Sequence, residues 1–464
     1  MVDFSTARDT IAIVGAGFSG TVLAAALLRR PPAAPTDIVL IERASEMGRG
    51  VAYAAREFPY LLNVPAGRLS ADAADPGQFL RFAQRRAPRI TGEDFLSREL
   101  YGAYLQDVLA QAERSAPGDV RLVRVFGEVR RISPGGAGLL LEIAGQPGVS
   151  AARVVLALGN PPPGLQPWAE AIREHKAYRH DPWGLPTDLA ARHSVLIVGN
   201  GLTMADAVSV LTQDPARAPM LHAISRRGLV PLLQTEFRPS ALRGDGEALL
   251  GQAHSLRRLL EMSRQLAREV EHRGGDWREV VTFVRHLAPT LWQRLPAGER
   301  RRFMRHLQAQ WDVHRHRMPP QLGARIDSLR RGGSLRIHAG RIEAVTEAGE
   351  QLRISWSPRG RHDDRKVSLT VDLIVNATGP DYALARSTDP LQRSLRAAGM
   401  ICEDELEIGL RTGPHGECIG SDGRITPRLY YLGPMLRAAF WEATAATELR
   451  DHADALAAHL ATAP

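Results

Sequence analysis

The chain has 464 residues, of which 44% are hydrophobic and 24% are charged. Because this length exceeds what one ordinary hydrophobic core supports, it predicts two or three domains and excludes a single small module. The formal net charge is +8, yet 57 of the 59 basic residues are arginines scattered through an alanine-rich chain, so no nucleic-acid-binding stripe is predicted.

The N-terminal stretch MVDFSTARDTIAIVGAG has no basic region followed by a separate apolar segment, so no signal peptide is expected. The sequence contains no apolar run of 18 residues, and no association with a membrane is predicted. Cys402 and Cys418 form no CxxC pair, so neither a metal site nor a redox disulfide is expected. These features favour a cytoplasmic protein.

The first predicted dinucleotide site starts at TIAIVGAGFSG, where an apolar strand runs into the three glycines of a GxGxxG fingerprint, Gly15, Gly17 and Gly20. In this fingerprint the glycines permit a tight turn, a close approach to pyrophosphate and close helix packing. Phe18 and Ser19 open the helix, whose N-terminus offers free N–H groups to phosphate. A second strand, DIVLIE, ends at Glu42, whose carboxylate would accept hydrogen bonds from ribose hydroxyls.

Three further segments follow the pattern of loops and strands around such a site. LLNVPAGRLSA lacks helical or strand periodicity and predicts a loop at Asn63 and Val64. ARVVLALGNPPP and VDLIVNATGPDY are apolar runs that close on Gly159 and Gly379, as expected of strands that pass beside a bound cofactor.

A second unit of strand, glycine turn and helix is predicted in SVLIVGNGLTMADAVSVL, although Met204 replaces the third glycine of the fingerprint. The predicted contacts of this turn are Gly199, Asn200, Gly201, Leu202 and Thr203. Arg226 lies 27 positions after Gly199, and Glu42 lies 27 positions after Gly15. An arginine at this position pairs a 2′-phosphate that a carboxylate would repel, so HAISRRG predicts an NADP site with Ser225 and Arg227 as helpers. The alternative is a chance position for one of many arginines.

Periodic apolar residues predict a helical insertion from about residue 238 to 330. Its last segment, WDVHRHRMPP, offers Arg315 and Arg317 as anion or substrate contacts, or else a solvated helix end. His314 and His316 are two positions apart and face different sides of a helix, so they predict no shared metal. Near the C-terminus, a strand ending at Gly433 is expected to run into a helix with Trp441, Glu442 and Glu448, of which the first two serve either the cofactor or packing and capping.

These segments occur in the order typical of two-dinucleotide-domain flavoproteins. Stretches such as GAGFSG, LLNVPAGRLSA, GNGLTMAD, WDVHRHRMPP and YLGPMLRAAFW resemble the FAD/NAD(P)-binding oxidoreductases related to flavin-dependent N-hydroxylating monooxygenases. The resemblance implies FAD at the first turn and NADPH at the second. It also implies FAD contacts at Asn63, Val64, Gly159, Gly379 and Gly433, and candidates near flavin or substrate at Asn63, Arg315, Arg317 and Trp441.

The chain departs from those relatives in the segment Asp372 to Gly379, where Asn376 replaces a bulky residue and Pro380 follows in place of a tyrosine. The predicted class is α/β, with two three-layer Rossmann-like domains built on parallel central sheets and a helical insertion in the second. The predicted FAD domain comprises residues 1–160 and 370–464, and the NADP domain residues 161–369.

The implied activity is NADPH-driven reduction of FAD, followed by oxygenation of a small molecule, with N-hydroxylation of an amine by molecular oxygen favoured. One alternative is a flavin reductase or oxidase that inserts no oxygen. The other is a non-catalytic dinucleotide-binding sensor.

Overall fold

The computed structural model describes residues 8–462 except 137, 184, 186–192, 236–241, 243–244 and 361–365. The chain forms two compact units. The first contains the chain up to Ala55, Val64–Pro161 and the chain from Tyr382 onward. The second contains Arg56–Asn63 and Pro162–Asp381. Each unit is built on its own central sheet.

The strands of the described residues are, in chain order, β1 (Asp9–Val14), β2 (Thr36–Glu42), β3 (Val120–Phe126), β4 (Val129–Gly135), β5 (Gly138–Ile143), β6 (Val149–Ala151), β7 (Arg153–Leu156), β8 (Tyr178–Arg179), β9 (Ser194–Val198), β10 (Met220–Ser225), β11 (Leu335–Ala348), β12 (Gln351–Pro358), β13 (Val367–Val371), β14 (Leu373–Asn376), β15 (Glu417–Ile419) and β16 (Ile425–Tyr431).

The α-helices of the described residues are α1 (Phe18–Arg29), α2 (Gly50–Tyr53), α3 (Gln78–Gln84), α4 (Arg98–Arg114), α5 (Leu202–Leu211), α6 (Asp245–Gly251), α7 (Leu256–His272), α8 (Arg278–Arg294), α9 (Ala297–His306), α10 (Gln308–Arg315), α11 (Pro320–Arg331), α12 (Pro390–Ala397) and α13 (Ala446–Thr462). Among the described residues, no helix is long and apolar enough to cross a membrane.

The sheet of the first unit has the strand order β15-β16-β7-β1-β2-β3. Its strands are parallel except for the edge pair β15 and β16. Strands β1 and β2 read as nearly continuous apolar runs because both of their faces are covered, as is typical of parallel sheets. Helix α1 packs against α4 and α13, and a small sheet of β4, β5 and β6 contacts β1 and β7.

The sheet of the second unit has the order β13-β12-β11-β10-β9-β14-β8. Strands β8, β14, β9 and β10 are parallel, and the first half of β11 continues the parallel set. The second half of β11 forms an antiparallel meander with β12 and β13. Both units therefore have the Rossmann-like arrangement predicted from the sequence, with antiparallel additions at the edges.

The boundary between the units differs from the prediction that the chain re-enters the first domain near residue 370. Strand β14 pairs with β9 in the second sheet, in the register Leu373↔Val195 to Asn376↔Val198. The second unit therefore continues to Asp381, and the first sheet is completed later in the chain by β16. The apolar run of β14 fits either sheet, and only its pairing reveals which sheet accepts it.

A short early segment, Arg56–Asn63, also belongs to the second unit. Tyr60 is buried in the core of that unit, with its ring 5.7 Å from that of Trp183 and 5.1 Å from that of Phe58. The sequence alone did not predict this excursion, because no local pattern distinguishes it from the neighbouring loop.

The predicted helical insertion is present, although residues 238–241 and 243–244 at its start lie outside the described residues. Helices α6 to α10 form it, between β10 and α11. Helix α11, at the end of the predicted range, instead packs on α5 and β11 as part of the Rossmann-like core. The insertion therefore ends with α10.

Two histidines on adjacent strands of the second sheet form a hydrogen-bonded pair. The Nδ1 atom of His222 on β10 lies 3.0 Å from Nε2 of His338 on β11, with the rings stacked 5.2 Å apart. His222 is only 5% exposed. Burial, together with the nearby His338 and Arg336, lowers the pKa of His222 to about 4. His222 is therefore neutral at physiological pH.

We expect the second unit to lose stability as the pH falls from about 6.5 to 4. The unfolded chain protonates His222 near pH 6.5 but the folded chain only near pH 4, so acid favours unfolding across this window by at most about 3 kcal/mol. Six of the seven tryptophans lie in the second unit, so their fluorescence during denaturant titration reports its unfolding. His222→Asn retains a polar group and does not titrate. An equally steep pH dependence in that variant would contradict the assignment.

Candidate functional site

The first glycine turn lies at the carboxyl end of β1 and leads into α1. Gly15 has φ +102°, and a Cβ there would lie 2.4 Å from the carbonyl oxygen of Ala157. A Cβ on Gly20 would lie 1.9 Å from the carbonyl oxygen of Gly15, so only glycine allows the helix to start this close to the strand. Gly17 is the N-cap of α1 and faces Gly50. The predicted strand, turn and helix are therefore present.

Glu42 ends β2 next to this turn and is 8% exposed. Its Oε2 accepts a hydrogen bond from the N–H of Ala16 at 2.7 Å, and its Oε1 accepts one from the N–H of Ala44 at 3.0 Å. The carboxylate therefore fixes the turn itself. Since each carboxylate oxygen has further acceptor capacity, Glu42 can still accept a ribose hydroxyl.

The residues that open α1 differ in what their side chains do. The ring of Phe18 packs 6.3 Å from that of Tyr101 and 6.4 Å from that of Tyr53, in an aromatic cluster. Ser19 is buried. Their contribution to a phosphate site is therefore the backbone N–H groups at the start of a 12-residue helix with no side-chain cap.

The predicted loop at Asn63 and Val64 is present, and the division between the units falls between these two residues. The backbone carbonyl of Asn63 accepts a hydrogen bond from Nε2 of Gln234, 3.2 Å away in the second unit. Val64 belongs to the first unit. Only Val64 is thus part of the unit that carries the first glycine turn.

Gly159 and Gly433 follow β7 and β16, at the same carboxyl edge of the first sheet as the glycine turn. Gly159 has φ +69° with open space where a Cβ would stand. Gly433 is extended and precedes a short 3-10 helix, Pro434–Ala438. Ligands of α/β sheets bind outside this edge, and the predicted FAD contacts of both glycines remain a prediction.

The C-terminal helix begins later than predicted. Helix α13 starts at Ala446, so Trp441 and Glu442 lie on turns before it, and Glu448 lies in its first turn. Glycine and proline at positions 433 and 434 produce the short 3-10 helix, and turns separate it from α13. Trp441 is buried, and the guanidinium carbon of Arg437 lies 4.4 Å from the centre of its ring.

Arg437 is a site residue that the sequence did not single out. Its guanidinium also lies 4.9 Å from the ring of Tyr382, whose hydroxyl donates to Oδ1 of Asn160 at 2.8 Å. Two aromatic faces therefore hold a cation near the carboxyl edge of the first sheet. The four-residue spacing between Arg437 and Trp441 was the available signal, but Tyr382 is remote in sequence.

The second glycine turn has the same construction at the carboxyl end of β9. Gly199 has φ +112°, and a Cβ there would lie 2.2 Å from the carbonyl oxygen of Ala377. Gly201 is the N-cap of α5, and a Cβ at this position would have no atom within 4 Å. Leu202 packs on the core and Thr203 is half-buried, while Met204 is fully buried in place of the third glycine.

Asn200, between the two glycines, is 4% exposed. Among the described residues, neither its Nδ2 nor its Oδ1 has a hydrogen-bond partner. Because a buried amide left unsatisfied costs stability, this residue favours a ligand that supplies the missing contacts. Asn200 is thus a buried side chain of this turn whose polar atoms lack a partner within the described chain.

Gly379, predicted at the FAD site, lies instead in the second unit after β14. The neighbouring carbonyl of Ala377 is the one that approaches Gly199, so this segment borders the second turn. Asn376 is fully buried and donates to the carbonyl of Gly164 at 3.2 Å, while its Oδ1 accepts from the Thr378 hydroxyl at 2.8 Å. The unusual asparagine therefore organises the segment.

The two arginines of HAISRRG face different partners. Arg226 is exposed directly after β10, and among the described residues it makes no hydrogen bond or ion pair. Arg227 donates through Nη1 to the carbonyl of His306 and through Nη2 to that of Arg305, both at 2.6 Å. The Ser225 hydroxyl accepts from the N–H of Gly228 at 3.0 Å, closing the turn. Arg226 therefore has no partner among the described residues, whereas Arg227 already donates two hydrogen bonds within the second unit.

The end of the insertion places its candidates differently. Arg315 ends α10, whereas Arg317 is buried beyond it. His314 Nδ1 bonds the carbonyl of Gln310 at 2.7 Å, and its ring packs against Trp277. His314 therefore has a local structural role.

Comparisons with known proteins agree with this geometry. Residues 12–161 match the family described as FAD-NAD(P)-binding. No curated protein matches the sequence. These residues cover the first glycine turn, Glu42 and Gly159, the segments from which a dinucleotide site was predicted.

Solved structures match nearly the whole chain. The ornithine N-hydroxylase of Kutzneria sp. 744, whose structure contains reduced FAD, NADP+ and L-ornithine, is 14% identical with a TM-score of 0.61, over 98% of this chain and 99% of that chain. The FAD-bound cadaverine monooxygenase of Erwinia amylovora is 15% identical with a TM-score of 0.63, over 99% and 95%. The L-lysine 6-monooxygenase of Pseudomonas syringae is 16% identical with a TM-score of 0.60, over 98% and 99%. The resemblance and fold class predicted from the sequence are confirmed.

Proposed function

We propose that this protein is an FAD- and NADPH-dependent monooxygenase that hydroxylates the nitrogen of a small primary amine. One observation carries the proposal. Two glycine turns lie at the carboxyl edges of the parallel strands of two separate sheets. The next strand of each sheet leads to a carboxylate, Glu42, in one unit and to an exposed arginine in the other, and that arginine, Arg226, has no partner among the described residues. This difference matches a free ribose diol at the first site and a 2′-phosphate at the second.

The first site fits FAD. The first turn of α1 has free N–H groups for pyrophosphate, Gly17 leaves its backbone approachable and Glu42 has acceptor capacity for ribose. Gly159 and Gly433 leave backbone at the same sheet edge without side chains. FAD supplies the redox chemistry when bound, and no side chain is needed as a nucleophile.

The second site fits NADPH. The N-terminus of α5 has no side-chain cap, Gly201 leaves open space and the amide of Asn200 lacks partners that a nucleotide can supply. Arg226, exposed directly after β10, would pair a 2′-phosphate through charge-assisted hydrogen bonds. The residues of this site bind and orient the reductant.

The proposed substrate class follows from the structural relatives, which act on ornithine, lysine and cadaverine. Each is an aliphatic primary amine, and we extend that class, with molecular oxygen as co-substrate, to this chain. Arg315, Arg317 and Trp441 remain proposed contacts near flavin or substrate, and the cytoplasm remains the proposed location.

The test is steady-state oxidation of NADPH by FAD-loaded protein with a panel of aliphatic diamines and basic amino acids. We expect one amine to raise NADPH consumption and to yield hydroxylamine in near-stoichiometric amount. Peroxide release with every amine would favour an oxidase that inserts no oxygen. Tight cofactor binding without turnover would favour a dinucleotide sensor.

A further inference from the structure

The role of Arg227 follows from the bonds that it makes within the second unit. Its two Nη atoms donate to the carbonyls of Arg305 and His306, which belong to the last turn of α9. The last four carbonyls of an α-helix lack partners within the helix, and this end carries partial negative charge. The guanidinium of Arg227 therefore supplies hydrogen-bond donors to two of these carbonyls and a positive charge to this helix end.

Helix α9 is in turn connected to the two long helices of the insertion. Glu299 in its first turn accepts a hydrogen bond from the N–H of Leu256, at the start of α7, at 2.9 Å. Arg300 donates to the carbonyls of Leu295 and Gln293 at the end of α8, both at 2.9 Å. Anchoring α9 therefore anchors the neighbouring ends of α7 and α8.

Arg226 and Arg227 are neighbours directly after β10, but they differ in the contacts of their side chains. Arg226 is exposed and has no partner within the described chain, whereas each Nη atom of Arg227 already donates one hydrogen bond. The Ser225 hydroxyl and the N–H of Gly228 close the turn that carries both. A ligand that immobilises Arg226 would therefore also restrict the motion of Arg227, because both lie in one short, hydrogen-bonded turn.

We propose that Arg227 is a positioning residue that fixes the helical insertion to the nucleotide edge of the second unit, while Arg226 alone reads the 2′-phosphate. The part concerning Arg226 rests on the proposed function. The part concerning Arg227 rests on its two hydrogen bonds to α9. A phosphate bound by Arg226 would restrict the motion of the turn and, through Arg227, the motion of α9.

The test combines calorimetric titration of NADP+ and NAD+ with amide hydrogen exchange of α9 in the full-length, FAD-loaded protein. Arg227→Ala is expected to speed exchange in the last turn of α9 about tenfold and to change the two nucleotide affinities by the same factor. Arg227→Lys should partly restore slow exchange. Saturating NADP+ should slow α9 exchange in the wild type but not in Arg227→Ala.

Arg226→Ala supplies the complementary result, with NADP+ affinity reduced about 10- to 150-fold relative to NAD+ and α9 exchange unchanged without nucleotide. Arg305→Ala is the matched control, because its exposed side chain makes no hydrogen bond or ion pair among the described residues and its carbonyl remains available. It should change neither measurement.

Two outcomes overturn the positioning role. One is unchanged α9 exchange in Arg227→Ala, and the other is a loss of NADP+ affinity in that variant at least tenfold greater than the loss for NAD+. A wild type that binds both nucleotides equally would refute the phosphate assignment alone, since the exchange measurement still decides whether Arg227 holds α9.

Discussion

Replacing Arg226 with alanine is expected to raise the KM for NADPH about 10- to 150-fold while leaving the KM for NADH nearly unchanged. The side chain is exposed after β10 and makes no hydrogen bond or ion pair among the described residues, so its removal disturbs no internal contact. One charge-assisted hydrogen-bonded contact to phosphate contributes roughly 1.5 to 3 kcal/mol, which gives this range. The measurement is kcat/KM for both nicotinamides.

Arg226→Glu sharpens the same test, because a carboxylate repels the 2′-phosphate and accepts hydrogen bonds from a free ribose diol. That variant should shift the preference toward NADH. Arg217→Ala is the control, since Arg217 is exposed in the same unit and, among the described residues, forms an ion pair only with Asp214 nearby in sequence. Equal losses for both cofactors in Arg226→Ala would mean that the arginine does not read the phosphate.

Replacing Glu42 with arginine is expected to weaken FAD binding about 100-fold or more. Arginine has no acceptor, so the N–H groups of Ala16 and Ala44 would lose their partner and the ribose hydroxyls would face donors. Several charge-assisted hydrogen bonds are lost together, each contributing roughly 1.5 to 3 kcal/mol. The dissociation constant is measured by titrating FAD into apoprotein, and bound flavin per chain by absorbance.

Glu42→Gln is the matched variant, because it keeps the side chain's size and one oxygen acceptor. We expect it to retain most of its FAD, with a loss of about tenfold in affinity. Unfolding monitored by tryptophan fluorescence, which reports mainly on the second unit, should be unchanged in both variants. If Glu42→Arg kept FAD as tightly as the wild type, the ribose role of Glu42 would be wrong.

The sequence predicted the two sheets because their central strands are covered on both faces and therefore read as uninterrupted apolar runs, such as β1 and β9. The glycine turns were predictable because positive φ and the close approach of another strand's carbonyl exclude other residues. Strand pairing was not predictable at β14, since an apolar run ending in glycine fits the edge of either sheet. The domain boundary was wrong for this reason.

Within the candidate site, the sequence could align Glu42 with Arg226 by their equal spacing from a glycine turn. It could not show that Arg227 is bonded within the chain, because the carbonyls that Arg227 bonds are 78 and 79 residues later in the chain. Arg437 was missed for the same reason, since one of its two aromatic neighbours, Tyr382, lies far away in sequence. Whether the predicted cofactor contacts bind FAD and NADPH is what the two substitution series test.

The early segment Arg56–Asn63 has a consequence for how the chain matures on the ribosome. Its Tyr60 belongs to the core of the second unit, but the rest of that unit is synthesised only from Pro162 onward. Tyr60 therefore cannot be buried in this core until about a hundred further residues have been synthesised. The first unit starts earlier but includes β16 and α13, which are synthesised last. The second unit therefore leaves the exit tunnel completely before the first unit does. Vectorial synthesis, which usually completes the N-terminal domain first, here completes the second unit first.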